Sequence, residues 1–119
     1  MKTVAICDDS MFQRRIISDM LDELGYSVQQ FSEGQKLLDF IEGSPADLTM
    51  IVLDILMPDM TGVDILKKLK DSGNEVPVVM LSADIQEVRK SECFELGASK
   101  FLNKPVKKEE LLEILNELL

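Results

Sequence analysis

The sequence predicts an α/β protein, a doubly wound (βα)5 fold with a five-stranded parallel sheet in the order 2-1-3-4-5 and helices on both faces. Three observations carry this. Short apolar runs alternate five times with segments of helical periodicity, the rhythm of parallel strands joined by helical crossovers. Two of the runs, Leu48–Leu53 and Val76–Leu81, are apolar almost without interruption, as strands covered on both faces are. The length of 119 residues suits one compact domain. The two most apolar strands and the first strand are expected centrally, which the stated doubly wound order satisfies, with right-handed crossovers.

The elements follow in turn. Lys2 to Cys7 is a short apolar strand. Ser10 with Gln13 matches a capping box that opens a helix; Ile16, Ile17, Met20, Leu21 and Leu24 recur at helical spacing and Gly25 stops it. Ser27 to Phe31 is a weaker strand. Ser32 and Gln35 form a second expected capping box, followed by Leu37, Leu38 and Ile41 before Gly43. After the third strand, Thr61 and Asp64 open a helix carrying Val63, Ile65, Leu66 and Leu69 and ending at Gly73. Pro77 is tolerable near the start of the fourth strand. Asp84 and Glu87 open a fourth helix ending at Gly97. Ser99 to Leu102 is a short fifth strand, and a last helix presents Leu111, Ile114, Leu115 and Leu118 on one face. Residues 1–119 read as a single domain.

Composition excludes several functions. Asp plus Glu outnumber Lys plus Arg by 22 to 13, for a net charge of −9, so a basic nucleic-acid surface is not expected. No apolar run approaches the roughly 20 residues of a membrane span, and the N-terminus does not read as a signal peptide; a cytoplasmic protein is expected. With no His, a Ser-His-Asp triad, a His zinc site and a phosphohistidine on this chain are excluded. Two cysteines cannot build a structural zinc site, and Cys7 and Cys93 are expected as reduced buried thiols. Neither Gly-rich nucleotide fingerprint is present.

In such sheets the ligand site lies beyond the carboxyl ends of the strands, where strand order reverses. Four strand ends deliver polar groups there: Asp8 and Asp9, Asp54, Ser82 and Lys104. Singly, each has a bland reading as a loop or surface residue; jointly they do not. Three carboxylates packed together repel unless protonated or neutralised by a cation, and Mg²⁺ suits a few carboxylates that also receive phosphate oxygens. Asp54, directly ending a buried strand, is placed to attack phosphorus and form an aspartyl phosphate. Lys104 would neutralise charge and Ser82 would donate to a phosphoryl oxygen.

These residues resemble the receiver domain of two-component response regulators, of the CheY-like fold. The matching segments are Ile6-Cys7-Asp8-Asp9-Ser10, Val52-Leu53-Asp54-Ile55-Leu56-Met57-Pro58, Thr61-Gly62, Leu81-Ser82-Ala83 and Asn103-Lys104-Pro105, and the likeness covers essentially the whole chain. The resemblance implies phosphoryl transfer to Asp54 from a histidine kinase or a histidine phosphotransfer protein. It implies Mg²⁺ held by Asp9 and Asp54, by Asp8 mostly through water, and by the backbone carbonyl of Leu56. It further implies a cis peptide between Lys104 and Pro105, and a switch in which Ser82 moves towards the phosphoryl group while Phe101 turns inward. The face of the fourth helix, fifth strand and fifth helix would then change for a downstream protein target.

The family often has Thr at the position of Ser82, Tyr at that of Phe101 and a polar residue at that of Leu56; Leu56 and the acidic Asp84 bear on the lifetime of the phosphoryl group. The chain reads as a signalling module that catalyses only its own phosphorylation and dephosphorylation, either a stand-alone chemotaxis-like regulator or the receiver of a longer one. Two alternatives belong to other classes. A Mg²⁺-dependent phosphatase with an Asp nucleophile would want a second Asp where Leu56 stands. A flavodoxin-like mononucleotide binder would want a Ser/Thr/Gly-rich loop where Asp8-Asp9-Ser10 stands. Met11 and Met57 are expected at the rim of the site. Phe94 is balanced between packing and partner contact, and Leu112 and Leu119 between a homodimer face and isolated exposed residues.

Overall fold

The computed structural model describes residues 2–43, 45–57, 59–83 and 87–119, with side chains at all of these except 87–89. Strand and helix alternate as β1 (Thr3–Cys7), α1 (Met11–Glu23), β2 (Ser27–Phe31), α2 (Gly34–Glu42), β3 (Leu48–Asp54), α3 (Gly62–Asp71), β4 (Val78–Ser82), α4 (Glu87–Glu95), β5 (Lys100–Asn103) and α5 (Lys108–Leu118). The strands form one parallel sheet in the order β2-β1-β3-β4-β5, the order expected from the apolar runs.

Side chains on a strand alternate between faces, and the core divides accordingly. Ala5, Cys7, Ile51, Leu53, Val78 and Met80 pack with Leu37 of α2, Ile65 and Leu69 of α3 and Cys93 of α4. Val4, Ile6, Met50, Val52, Val79, Leu81 and Leu102 pack with Ile17 and Leu21 of α1 and Leu111, Ile114 and Leu115 of α5. The nearly continuous apolar run of β3 thus feeds two cores at once. Cys7 and Cys93 are both buried and not disulfide-bonded, as expected.

Helix starts show where local sequence rules held. Ser10 caps α1, accepting from Gln13 N at 3.3 Å, but its own N–H donates to Asp8 Oδ1 at 2.9 Å, so the reciprocal arm belongs to the preceding loop. Thr61 and Asp64 make the full capping box at α3. The box expected from Ser32 and Gln35 does not form. Glu33 is the N-cap residue of α2 and makes no side-chain cap bond. Instead Asp59, from the loop after β3, accepts from Gly34 N at 3.2 Å and Gln35 N at 3.3 Å. A carboxylate across the fold satisfies the exposed N–H groups and the positive helix end better than the local hydroxyl. The expected opening of the fourth helix at Asp84 lies outside the described residues.

Candidate functional site

Register brings the polar strand ends together. Cys7 pairs with Leu53, Asp54 with Leu81 and Ser82 with Asn103, so Asp8, Asp54, Ser82 and Lys104 follow at one edge of the sheet. Continuing the alternation of each strand, Asp8, Asp54 and Lys104 fall on the side of Ile6, Val52 and Leu102, the α1/α5 face. Ser82 and Phe101 share the opposite parity, and Phe101 packs against the α2–α4 core. Two further backbone bonds hold the rim: Ile55 N to Leu81 O at 3.1 Å and Lys104 N to Ser82 O at 2.9 Å.

At the centre, the Lys104 ammonium lies 3.0 Å from Asp8 Oδ2 and 3.4 Å from Asp54 Oδ2. Relative exposure is 0% for Asp8, 4% for Asp54 and 7% for Ser82, while Asp9 is exposed. The Lys104–Pro105 peptide is cis, as the resemblance implied. Burial, then the Asp8 carboxylate, pushes the Asp54 carboxyl up from 3.8 to about 6, although Lys104 and the Leu56 N–H oppose this. Burial pulls Lys104 down, but its bonds and charges with Asp8 and Asp54 outweigh that and raise it. Burial and the surrounding carboxylates of Asp59, Asp8 and Asp54 push the Cys7 thiol up to about 12, Arg14 opposing. Cys7 is therefore an inert neighbour; its Sγ contacts Met57 Sδ at 3.4 Å.

The acidic residues fit a hard divalent cation. Asp8, Asp9 and Asp54 each offer a carboxylate oxygen, all within 4.8 Å of one another. Among the described residues, buried Asp8 Oδ2 receives no well-directed hydrogen bond; the Lys104 ammonium reaches it as an ion-pair partner. An all-oxygen, carboxylate-rich set suits Mg²⁺ better than a softer metal.

Several residues at the site escaped the sequence reading. Arg14 Nη1 donates to the Asp8 carbonyl at 2.7 Å and its Nε to Gln30 Oε1 at 3.3 Å; its place one turn after the Ser10 cap was the available signal. Asp59 had none, since its partners Gly34 and Gln35 lie 25 and 24 residues away. Gly62, present in the sequence reading only as part of the Thr61-Gly62 match, closes on the acceptor strand: its N–H donates to Ile55 O at 2.7 Å, and a Cβ there would sit 2.5 Å from Asp54 O. Met57 is buried as expected near the rim, but Met11 is exposed, as are Phe12 and Leu56. Phe94 is 45% exposed and meets the Phe101 ring edge-on at 5.1 Å between centroids, so it packs and remains accessible. Leu112 and Leu119 are both exposed. Pro58 lies outside the described residues.

The chain matches the response regulator receiver domain family over residues 4–116, and it belongs to that family. The fold and the cluster of acids at its strand ends therefore define a receiver domain of two-component signal transduction, a signalling module. The two-component response regulator ORR7 of Oryza sativa subsp. japonica is 37% identical over 118 residues, 98% of this chain, and the chain spans only 56% of that relative's length. ORR5 of the same subspecies is 36% identical, with 98% of this chain and 87% of the relative covered. The chemotaxis protein CheY4 of Vibrio cholerae superposes with a TM-score of 0.91 at 30% identity, covering 100% of this chain and 99% of that one. Among the described residues no helix is long and apolar enough to cross a membrane.

Proposed function

We propose that the chain is a phosphorylation switch in which Asp54 accepts a phosphoryl group from a phosphohistidine of a histidine kinase or a histidine phosphotransfer protein. The observation that carries this is the Lys104 ammonium set between Asp8 and Asp54 at 3.0 and 3.4 Å at the end of the central strands. An Asp54 oxygen attacks phosphorus, the phosphorus–nitrogen bond to the donor imidazole breaks, and the imidazole keeps the electron pair and takes a proton from solvent. Such transfer needs chiefly positioning and charge neutralisation. Asp8, Asp9, Asp54 and the Leu56 carbonyl would hold Mg²⁺, which neutralises phosphoryl charge when bound. Lys104, already paired with Asp54, then pairs with the phosphoryl oxygens, and the Leu56 N–H orients the attacking carboxylate. Ser82 is buried beside this edge and supplies the hydroxyl that follows the added charge.

Phe101 is the partner of that movement. Its ring lies against Phe94 and has the Lys90 ammonium 5.8 Å from its centroid, so its turning inward would change the surface formed by α4, β5 and α5. A downstream protein target reads that surface. The unit proposed is residues 1–119, acting inside the cell without direct contact to nucleic acid or membrane. Leu56, 67% exposed beside the acceptor, offers no acid for a phosphatase acting on separate substrates. Incubation with a small phosphodonor and Mg²⁺, followed by intact mass, tests the proposal. One added phosphoryl group is expected in the wild type and none in Asp54→Asn; an adduct forming in Asp54→Asn at the wild-type rate refutes it.

A further inference from the structure

Arg14 makes an arrangement that the proposed transfer step does not use. It follows the α1 cap by one turn, its N–H donating to Ser10 O at 3.0 Å, and its side chain folds back over the helix start. One guanidinium nitrogen donates to the Asp8 carbonyl at 2.7 Å while Nε is held by Gln30 of β2 at 3.3 Å. Two other polar atoms of Asp8 are also engaged: its N–H donates to Phe31 O at 3.1 Å and its Oδ1 accepts from Ser10 N at 2.9 Å. The segment that turns Asp8 and Asp9 into the site is thus clamped from β2 on one side and α1 on the other. A planar guanidinium suits this work because its donors keep a fixed angle to one another.

We propose that Arg14 is the positioning residue of the acidic pair: it holds the backbone of Asp8 so that the Asp8 and Asp9 carboxylates meet Asp54 in a spacing that takes a divalent cation. This rests on the Mg²⁺ reading of the site given above. Two opposite effects separate it from a simpler one. A guanidinium near a cation site repels the ion, so if charge were its only influence, neutralising Arg14 would tighten Mg²⁺ binding. If it holds the ligands in place, neutralising it loosens binding, and groups that orient metal ligands typically change affinity by about 10-fold or more.

The test is Mg²⁺ titration of the metal-free protein by calorimetry, with the amide signals of Asp8, Asp9 and Ser10 followed by NMR. Melting in chelator monitors the fold. Arg14→Gln is expected to bind Mg²⁺ about 10-fold more weakly, with displaced Asp8–Ser10 amide signals before metal is added. Arg14→Lys, which can still donate to the Asp8 carbonyl, is expected to recover most of the affinity. Unchanged or tighter binding by Arg14→Gln overturns the inference. Should that variant fail to fold, Gln30→Ala decides: it keeps the charge and removes the brace, and weaker Mg²⁺ binding than the wild type is expected, unchanged affinity being the refutation. If the wild type takes up no Mg²⁺ at all, the functional reading falls with it; if the wild type binds and Arg14→Gln binds equally, only the positioning role falls.

Discussion

Replacing Asp54 by Asn is expected to make the metal-free protein more stable at neutral pH. Burial and the Asp8 carboxylate raise the Asp54 carboxyl from 3.8 to about 6 even with Lys104 beside it. At about 1.4 kcal/mol per tenfold change in proton affinity, the ionised acceptor costs the native state about 3 kcal/mol. Between 3.8 and about 6 the folded protein holds a proton that the unfolded chain has lost, so stability falls as pH rises through that window. Above it the penalty is constant, and below it both states are protonated and the penalty vanishes. The neutral amide removes the penalty and keeps an oxygen for the Leu56 N–H. In chelator at about pH 7.5, Asp54→Asn should gain up to about 3 kcal/mol, or roughly 10 °C in melting temperature for a chain of this size. The gain should shrink towards pH 4, and Mg²⁺ should narrow it by stabilising the wild type preferentially. Urea and thermal unfolding at several pH values measure this. A variant no more stable than wild type at neutral pH, or a gain that does not change with pH, refutes the reasoning.

Other outcomes follow from the same geometry. Lys104→Met leaves the Asp8 and Asp54 carboxylates without their shared cation; a loss on the order of 3 kcal/mol is expected at neutral pH, smaller at pH 5, where Asp54 takes a proton, and denaturation at the two pH values checks it. Gly62→Ala forces a Cβ to within 2.5 Å of Asp54 O and 2.8 Å of Ile55 Cα, both backbone atoms; a cost of about 2 kcal/mol and slower phosphorylation should appear together, and a variant normal in both would contradict the close approach. Asp59→Ala removes the cap of α2 and should cost about 1 kcal/mol, read as faster amide exchange at Gly34 and Gln35. With its thiol raised to about 12, Cys7 should resist alkylation in the folded protein at pH 8 and react once it is unfolded.

Much of this molecule could be read along the chain because the controlling forces are periodic. The apolar runs at Leu48–Leu53 and Val76–Leu81 marked the two-sided strands, and the acids and the lysine just beyond the strands marked the site. What could not be read depended on how the elements come to lie against one another. The Ser32/Gln35 signature obeys the local rule for a capping box, yet Asp59 reaches the same N–H groups from another loop and displaces it. The Ser10 cap was legible, but the bond from its N–H to Asp8 was not, because it depends on the angle at which β1 meets α1. Phe94 shows a similar limit: its position on a helix was clear, while its contact with Phe101 required the packing of α4 on β5.

By itself the sequence determined the βα rhythm, the strand order and the identity of the groups at the sheet's edge, since burial and hydrogen bonding impose a short period on the chain. Only the tertiary structure decided how those groups divide. Register and strand parity set Asp8, Asp54 and Lys104 on the α1/α5 side, one ammonium spanning two carboxylates, and set Ser82 and Phe101 on the side of α4. The acceptor's raised proton affinity and the bracing of Asp8 by Arg14 likewise arise from charges and bonds between residues that the chain keeps apart. Electrostatic energy depends on distance in space, and distances of a few ångströms between separate strands exist only once the sheet has formed.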